Sequence, residues 1–285
     1  MQYWQLDVFA DRPLAGNGLT VFADARGLSA SAMQALTIEL RQFESIFLLP
    51  TESADCFRAH IFTAEEELPF AGHPLLGAAA LLHHLHAGDQ HESSWHLQLR
   101  DKTVPLSSQR RGSGFYTEMN QGNAEFGPVL SAQQAQWLAQ AFGSDHDSRH
   151  PAQVVSTGLP YVLLPVSSAG LANARQRENL QPLLDELGAA FVFLMDVDAA
   201  EGRTWDPEGV IEDIATGSAA GPVAAWRVAR GLNRSGEPFR LHQGRFLRRP
   251  SQLDVQVGTD GQVRVGGQVQ LLARSELLLS AAQLS

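Results

Sequence analysis

The chain has 285 residues but only one cysteine and one lysine, and each scarcity excludes chemistry. With Cys56 alone there is no intrachain disulfide, no multi-cysteine zinc site and no mechanism that needs two thiols. With Lys102 alone, a Schiff-base mechanism, pyridoxal phosphate chemistry included, would have to use that residue. It lies in a polar, strand-like stretch from Leu97 to Val104 and reads as a surface residue. No window reaches the roughly 20 apolar residues of a membrane span. Neither GxxxxGK[ST] nor a strand-borne GxGxxG occurs, and Gly16-Asn17-Gly18 is a turn signature too short for a phosphate loop. No basic stripe is visible either: 31 acidic residues oppose 21 basic ones for a net charge of −10. A nucleic-acid partner is therefore not expected, whereas a small anionic ligand held by backbone amides stays open. The opening segment alternates like a strand and lacks a signal peptide's basic start and long apolar run. The expectation is a soluble, cytoplasmic protein with no membrane partner.

What is present is globular. Apolar residues make up 44% and charged residues 18%, with 25 Gly and 14 Pro spread along the chain. That is ample material for one large core or two ordinary ones. Laid on itself, the sequence repeats at a spacing of 145 residues: Arg58/Arg203, Glu67/Glu212, Gly72/Gly217, Ala79/Ala224 and Ala80/Ala225 coincide without a gap. Ser45-Ile-Phe-Leu-Leu falls opposite Ala190-Phe-Val-Phe-Leu at the same spacing.

Both halves read alike: an opening strand (Gln5 to Ala10; Gln153 to Pro165), a helix (Ser31 to Arg41; Asn179 to Leu187), an apolar strand (Ser45 to Leu49; Ala190 to Met195), then a polar arm ending at Gly72 or Gly217. Ser29 or Ser31, and Asn179, are the expected N-caps. The helices after the glycines, Pro74 to His83 and Ala219 to Val228, are apolar on nearly every face and must be enclosed. A further helix, Ser131 to Phe142, opens the second half. The expected fold is α+β in two pseudo-equivalent domains, 1–127 and 128–285, each a mostly antiparallel, barrel-like sheet wrapped round a central apolar helix, with a cleft between them. Whether the last strands return to the first domain is left open.

The mouths of the two enclosed helices are where chemistry is expected. A helix's first turn offers unpaired N–H groups and the positive end of its dipole, and Gly72 and Gly217 allow close approach to the backbone. If the halves face each other about a pseudo-twofold axis, both mouths open into one cleft suited to a carboxylate or a developing enolate. The same glycines can equally be plain entry turns. Glu44, between Phe43 and Ser45-Ile-Phe-Leu-Leu, is either a desolvated general acid/base or a strand-edge glutamate facing water. His73 is a site residue or a capping histidine. Asp213 is a turn former or a carboxylate beside Ser218, and Thr216 and Ser218 are ordinary caps by default.

Three other clusters carry less. His83, His84, His86, His91 and His96 crowd one region, but only Asp89 and Glu92 could complete a metal set, and solvated histidines at a helix end fit better. Glu65-Glu66-Glu67 reads as a solvated acidic loop, with Glu67 marked by its repeat in Glu212. The arginines at 245, 248 and 249 read as a surface hairpin.

The order Gly16-Asn17-x-Leu19-x-Val21, Glu44-Ser45-x-Phe47, Glu67-x-x-Phe70-x-Gly72-His73-Pro74-x-x-Gly77, Glu212-Asp213-x-Ala215-Thr216-Gly217-Ser218-Ala219 and Gln243-Gly244 followed by Arg249-Pro250-Ser251 resembles the PhzF-like phenazine-biosynthesis isomerase family along almost the whole chain. The resemblance implies a diaminopimelate-epimerase-like fold, a site without cofactor or metal, and a homodimer. It implies that Glu44 is the acid/base glutamate, that His73, Asp213 and Ser218 are the other catalytic residues, and that Gly72 and Gly217, with Asn17 and Thr216, bind substrate. The related epimerases carry two cysteines at the helix mouths, where this chain has His73 and Ser218. Four positions depart from the family pattern: Gly18 and Ile214 for proline, Arg248 and Ser275 for glycine.

The expected function is a cofactor-independent isomerase that moves a proton between carbons of a small unsaturated or cyclic carboxylate. The alternatives are a one-base racemase or epimerase of an amino-acid-like acid and a non-catalytic small-ligand-binding protein.

Overall fold

The structure is a computed structural model that describes residues 1–279 and residue 283. The chain divides into two compact units, Met1–Asn120 together with the chain from Gly266 onward, and Gln121–Val265.

The first unit begins with β1 (Gln2–Val8), β2 (Asn17–Phe22), α1 (Ala30–Leu40), β3 (Ser45–Pro50), β4 (Cys56–Phe62) and the short β5 (Glu67–Leu68). It continues through α2 (Gly72–His86), β6 (Glu92–Gln98), β7 (Thr103–Arg111) and β8 (Gly114–Asn123). The strands run in the order β1-β2-β3-β4-β6-β7-β8, and the C-terminal strand β16 (Gln262–Glu276) follows β8. β16 also pairs antiparallel with β1, from Gln2 opposite Glu276 to Val8 opposite Val269, and this ladder closes the sheet on itself. α2 lies inside it, packed on β1, β2, β3, β6 and β7, and every residue from Gly72 to His83 is buried. Leu75, Leu76, Leu81 and Leu82 are fully buried, each contributing about 2 kcal/mol. Gly77 lets the helix approach the wall, since a Cβ there would fall 2.3 Å from a methyl of Leu19. α1 covers the outside, capped by Ser29, with Met33 and Leu36 packed on Phe22, Phe47 and Phe62.

The second unit follows the same plan. It contains β9 (Glu125–Val129), α3 (Ala132–Ala141), β10 (Gln153–Ser156), β11 (Pro160–Pro165), α4 (Ser168–Asn173), α5 (Gln181–Leu187), β12 (Phe191–Asp196) and β13 (Glu201–Thr204). α6 (Gly217–Ala229), β14 (Phe239–Gln243) and β15 (Ser251–Val257) complete it. The strand order is β15-β14-β13-β12-β11-β10-β9. The parallel pair β11–β12 answers β2–β3, and β13–β14 answers β4–β6. α6 packs on β10, β11 and β15, with Ala219 to Trp226 buried. α3, α4 and α5 form the outer layer, and α3 carries a full capping box from Ser131 and Gln134.

Local differences from the sequence reading have physical causes. The single strand expected over Gln153 to Pro165 is two strands, because Gly158 (φ 125°) turns the chain ahead of Pro160. The helix expected from Asn179 starts at Gln181, with the Asn179 side chain accepting from the Gln181 amide at 2.8 Å. α4 went unread because six residues are too few to show a helical period. His83 is not solvated: it is fully buried, with Nδ1 2.6 Å from Ser108 Oγ and Nε2 3.0 Å from the Gln90 carbonyl. Arg248 has φ 60°, in the left-handed region that favours glycine. Among the described residues no helix is long and apolar enough to cross a membrane.

The repeated pair Arg58/Glu67 and Arg203/Glu212 is used differently in the two units. Arg203 is 1% exposed and donates from Nε and Nη2 to Glu212 at 2.7 and 2.8 Å, and from Nη1 to the Leu171 and Ala174 carbonyls at 2.8 and 3.1 Å. Glu67 is bonded instead to His60 Nδ1 at 2.6 Å, near the surface. Glu212→Gln is expected to lower the unfolding free energy by about 3 kcal/mol, because it strands a buried guanidinium. Glu67→Gln should cost less than about 1 kcal/mol. Urea titration followed by tryptophan fluorescence checks the contrast, and equal losses would contradict it.

Candidate active site

In the first unit the site is assembled by a parallel register. β2 pairs with β3 so that Thr20 lies opposite Ser45, which brings Glu44, one residue before β3, alongside the start of β2. Asn17 begins that strand, opposite Val8, after a turn at Gly16. Only glycine fits Gly16: φ is 66°, and a Cβ would lie 2.3 Å from the Val8 carbonyl oxygen. α2 then delivers His73 in its first turn. The three side chains meet. Glu44 Oε2 is 3.2 Å from His73 Nδ1, and Asn17 Nδ2 is 3.5 Å from the same nitrogen. Glu44 is 7% exposed, His73 4% and Asn17 0%. The reading of Glu44 as a strand-edge residue in water is therefore set aside.

Burial dominates the electrostatics of His73 and pushes it down to about 3, against a smaller upward contribution from the Gly18 backbone. The imidazole is thus neutral at physiological pH, and its 3.2 Å approach to Glu44 sets a neutral ring beside a carboxyl group. A neutral ring nitrogen can donate to a carboxylate or, in the other tautomer, accept from a carboxylic acid. Nδ1 can therefore serve Glu44 in either protonation state. The Ala71 N-cap sends no side chain to the first-turn amides of α2, so those N–H groups have no side-chain cap.

The second unit has the corresponding mouth at α6, whose Thr216 N-cap likewise makes no side-chain cap. Its polar residues are knit together. Thr216 Oγ1 donates to Asp213 Oδ2 at 2.6 Å and accepts from Gln243 Nε2 at 3.0 Å. Gln243 also accepts from the Thr216 amide at 3.0 Å and donates to the Asp213 carbonyl at 2.9 Å. Ser218 Oγ is 2.7 Å from the Tyr161 hydroxyl, and Gln121 donates to the Gly217 carbonyl at 3.0 Å. Gly217 thus opens the helix, with Ser218 in its first turn and Asp213 and Thr216 in the approach to it. Sequence reasoning gave no role to Gln243, Tyr161 or Gln121. Gln243-Gly244 did stand out as a motif. The glycine is required, because φ is 81° and a Cβ would meet the Arg249 and Ile214 carbonyls at 2.3 and 2.7 Å. Nothing in the sequence around Tyr161 or Gln121 marks them. Among the described residues no group of three or more His, Cys, Asp or Glu could hold a metal ion.

Structural likeness gives the class first. A predicted epimerase from Pseudomonas aeruginosa is similar over 98% of this chain and 99% of its own, with a TM-score of 0.94 and 66% identity. A probable proline racemase from Agrobacterium radiobacter shares the fold at a TM-score of 0.65 and 16% identity, over 98% and 93% of the two chains. The architecture is thus that of the PhzF proteins and the proline-racemase-like enzymes. The model of the phenazine biosynthesis-like family matches residues 6–274, and the chain belongs to that family, PhzC-PhzF. A trans-2,3-dihydro-3-hydroxyanthranilate isomerase from Pseudomonas chlororaphis is 33% identical over 255 residues, 87% of each chain. The class of enzyme is isomerase.

The depressed His73 value has a signed consequence. Its folded-state value, about 3, lies below the ordinary 6.5, so on acidification the unfolded chain takes up this proton first. The stability contributed by the neutral ring is complete above pH 6.5 and is lost as pH falls toward 3, at up to about 1.4 kcal/mol per pH unit. Nitrogen-15 shifts of the His73 ring are expected to stay at neutral-imidazole values from pH 8 to pH 5. A midpoint near 6.5 would show that the ring is not desolvated.

Proposed function

We propose that the chain is a cofactor-independent proton-transfer isomerase acting on a small unsaturated or cyclic carboxylate, with Glu44 as its acid/base. The observation that carries this reading is the buried Glu44 carboxyl 3.2 Å from the neutral His73, at the mouth of an enclosed helix. The chemistry requires a group that removes a proton from a carbon flanked by an unsaturated or carbonyl system and returns it at a second carbon. Glu44 Oε2 suits this because the ring nitrogen 3.2 Å away can, according to its tautomer, donate to the carboxylate or accept from the acid as the proton leaves and returns. The first-turn amides of α2 suit a carboxylate or an enolate oxygen. Asp213 and Ser218 are assigned to the substrate's polar groups, and Gly217 and Thr216 to its anionic end, on the family resemblance and on their place around the first turn of α6. The curated relatives named as trans-2,3-dihydro-3-hydroxyanthranilate isomerases support a substrate with an unsaturated ring carboxylate.

A second reading is favoured by the 66%-identical predicted epimerase: one-base racemisation or epimerisation of an amino-acid-like acid. Cys56 lies in β4 and not at either helix mouth, so a two-thiol mechanism does not apply. Product stereochemistry separates the two readings.

Proton NMR in D2O, with a panel of cyclic and unsaturated carboxylic acids that includes trans-2,3-dihydro-3-hydroxyanthranilate, tests the assignment. Wild-type protein is expected to place deuterium at a carbon of a turned-over acid, and Glu44→Gln to slow that exchange by about 10²- to 10⁴-fold. Unchanged exchange in Glu44→Gln would remove Glu44 from the chemistry. Saturable binding with no exchange would point to a ligand-binding protein.

A further inference from the structure

The repeat of 145 residues makes each unit a control for the other. In the second unit Arg203 is neutralised by Glu212 and lies against the Trp205 ring, 4.6 Å from guanidinium to centroid. At the Trp205 position the first unit has His60, an imidazole that can bond to a carboxyl group. It does so: Glu67, the counterpart of Glu212, is bonded to His60 Nδ1 at 2.6 Å. Arg58, the counterpart of Arg203, is thereby left exposed, and among the described residues no carboxylate or carbonyl pairs with it.

Arg58 lines a cavity of about 600 Å³ that belongs wholly to the first unit, together with His60, Glu67, Arg100 and Lys102. Lys102 is the only lysine of the chain, and its ammonium lies over the Phe70 ring, 3.8 Å from the centroid. Arg100 is engaged only with its exposed neighbour Asp101, at 3.3 Å. On a protein of net charge −10, three cations against two carboxylates, Glu67 and Asp101, around one cavity, with Arg58 unpaired, are a local reversal of sign.

We propose that Arg58 and Lys102 hold a small dianionic molecule, bearing carboxylate or phosphate oxygens, in this cavity. The guanidinium supplies a planar fork for two oxygens, and the ammonium supplies a point charge for the second anionic group. β5 sets Glu67 opposite Phe62, two residues further along the strand than the Trp205–Glu212 bridge of the second unit, and its bond to His60 leaves Arg58 to the cavity.

The single lysine makes the test specific. Reductive methylation with ¹³C-formaldehyde labels two amines, Met1 and Lys102, and leaves both cationic. The Lys102 signal is expected to move saturably with inorganic phosphate, with malonate or with both, at ionic strength held constant with potassium chloride. Saturation by phosphate alone assigns the site to phosphate esters, by malonate alone to dicarboxylates. Arg58→Gln should weaken the apparent affinity about tenfold or more, the loss of one charge-assisted pair. Glu67→Gln should not weaken it. A Lys102 signal that moves no more than in potassium chloride would overturn the proposal. So would Arg58→Gln titrating like the wild type.

Discussion

An α-helix that is apolar on every face cannot rest against a sheet. It has to be surrounded, and much of the rest of the first unit follows from that constraint. α2 is buried from Gly72 to His83, so the strands must close around it. The closing ladder is β1 against β16, which obliges the chain, after completing the second unit, to come back and supply the strand between β8 and β1. Once the helix is enclosed, only its ends can carry polar chemistry. The N-terminal end is the useful one, because its first-turn amides are unpaired within the helix and its dipole favours anions.

The same constraint explains why a buried polar cluster is tolerated at that end. Asn17, Glu44 and His73 come from a strand start, a residue just before a strand and a helix first turn. Each is fixed by backbone pairing before its side chain is considered. Asn17 Nδ2 and Glu44 Oε2 both approach one nitrogen of His73, at 3.5 and 3.2 Å, and burial keeps that ring neutral. A ring that burial keeps neutral can, according to its tautomer, donate to a carboxylate or accept from a carboxylic acid.

Much of this was legible in the sequence, for a specific reason. The all-round apolar runs after Gly72 and Gly217 identify enclosed helices whatever the details of the strands, and the matching punctuation at a spacing of 145 residues identifies two copies of one plan. Glu44 was legible because a carboxylate inside an apolar run is conspicuous. Tyr161 and Gln121 were not, because each reaches its partner on α6 only through tertiary pairing, with nothing distinctive in its own surroundings. His83 misled for the opposite reason. It lies in a histidine-rich, polar-looking stretch, yet its place on α2 buries it, with Ser108 and the Gln90 carbonyl as partners.

A duplicated scaffold fixes backbone positions and leaves side chains free to diverge, and the two helix mouths show how far they have done so. At α6 the polar groups are bonded into one network, with Thr216 between Asp213 and Gln243, and Ser218 on Tyr161. That arrangement suits holding a group in place, since each hydroxyl has a fixed partner. At α2 the principal contact joins an ionisable carboxyl to an imidazole that can change tautomer, which suits moving a proton. Exchange between two equivalent thiols would demand like residues after the two glycines, and this chain has histidine after one and serine after the other. The asymmetry fits a single proton-carrying group better than a matched pair.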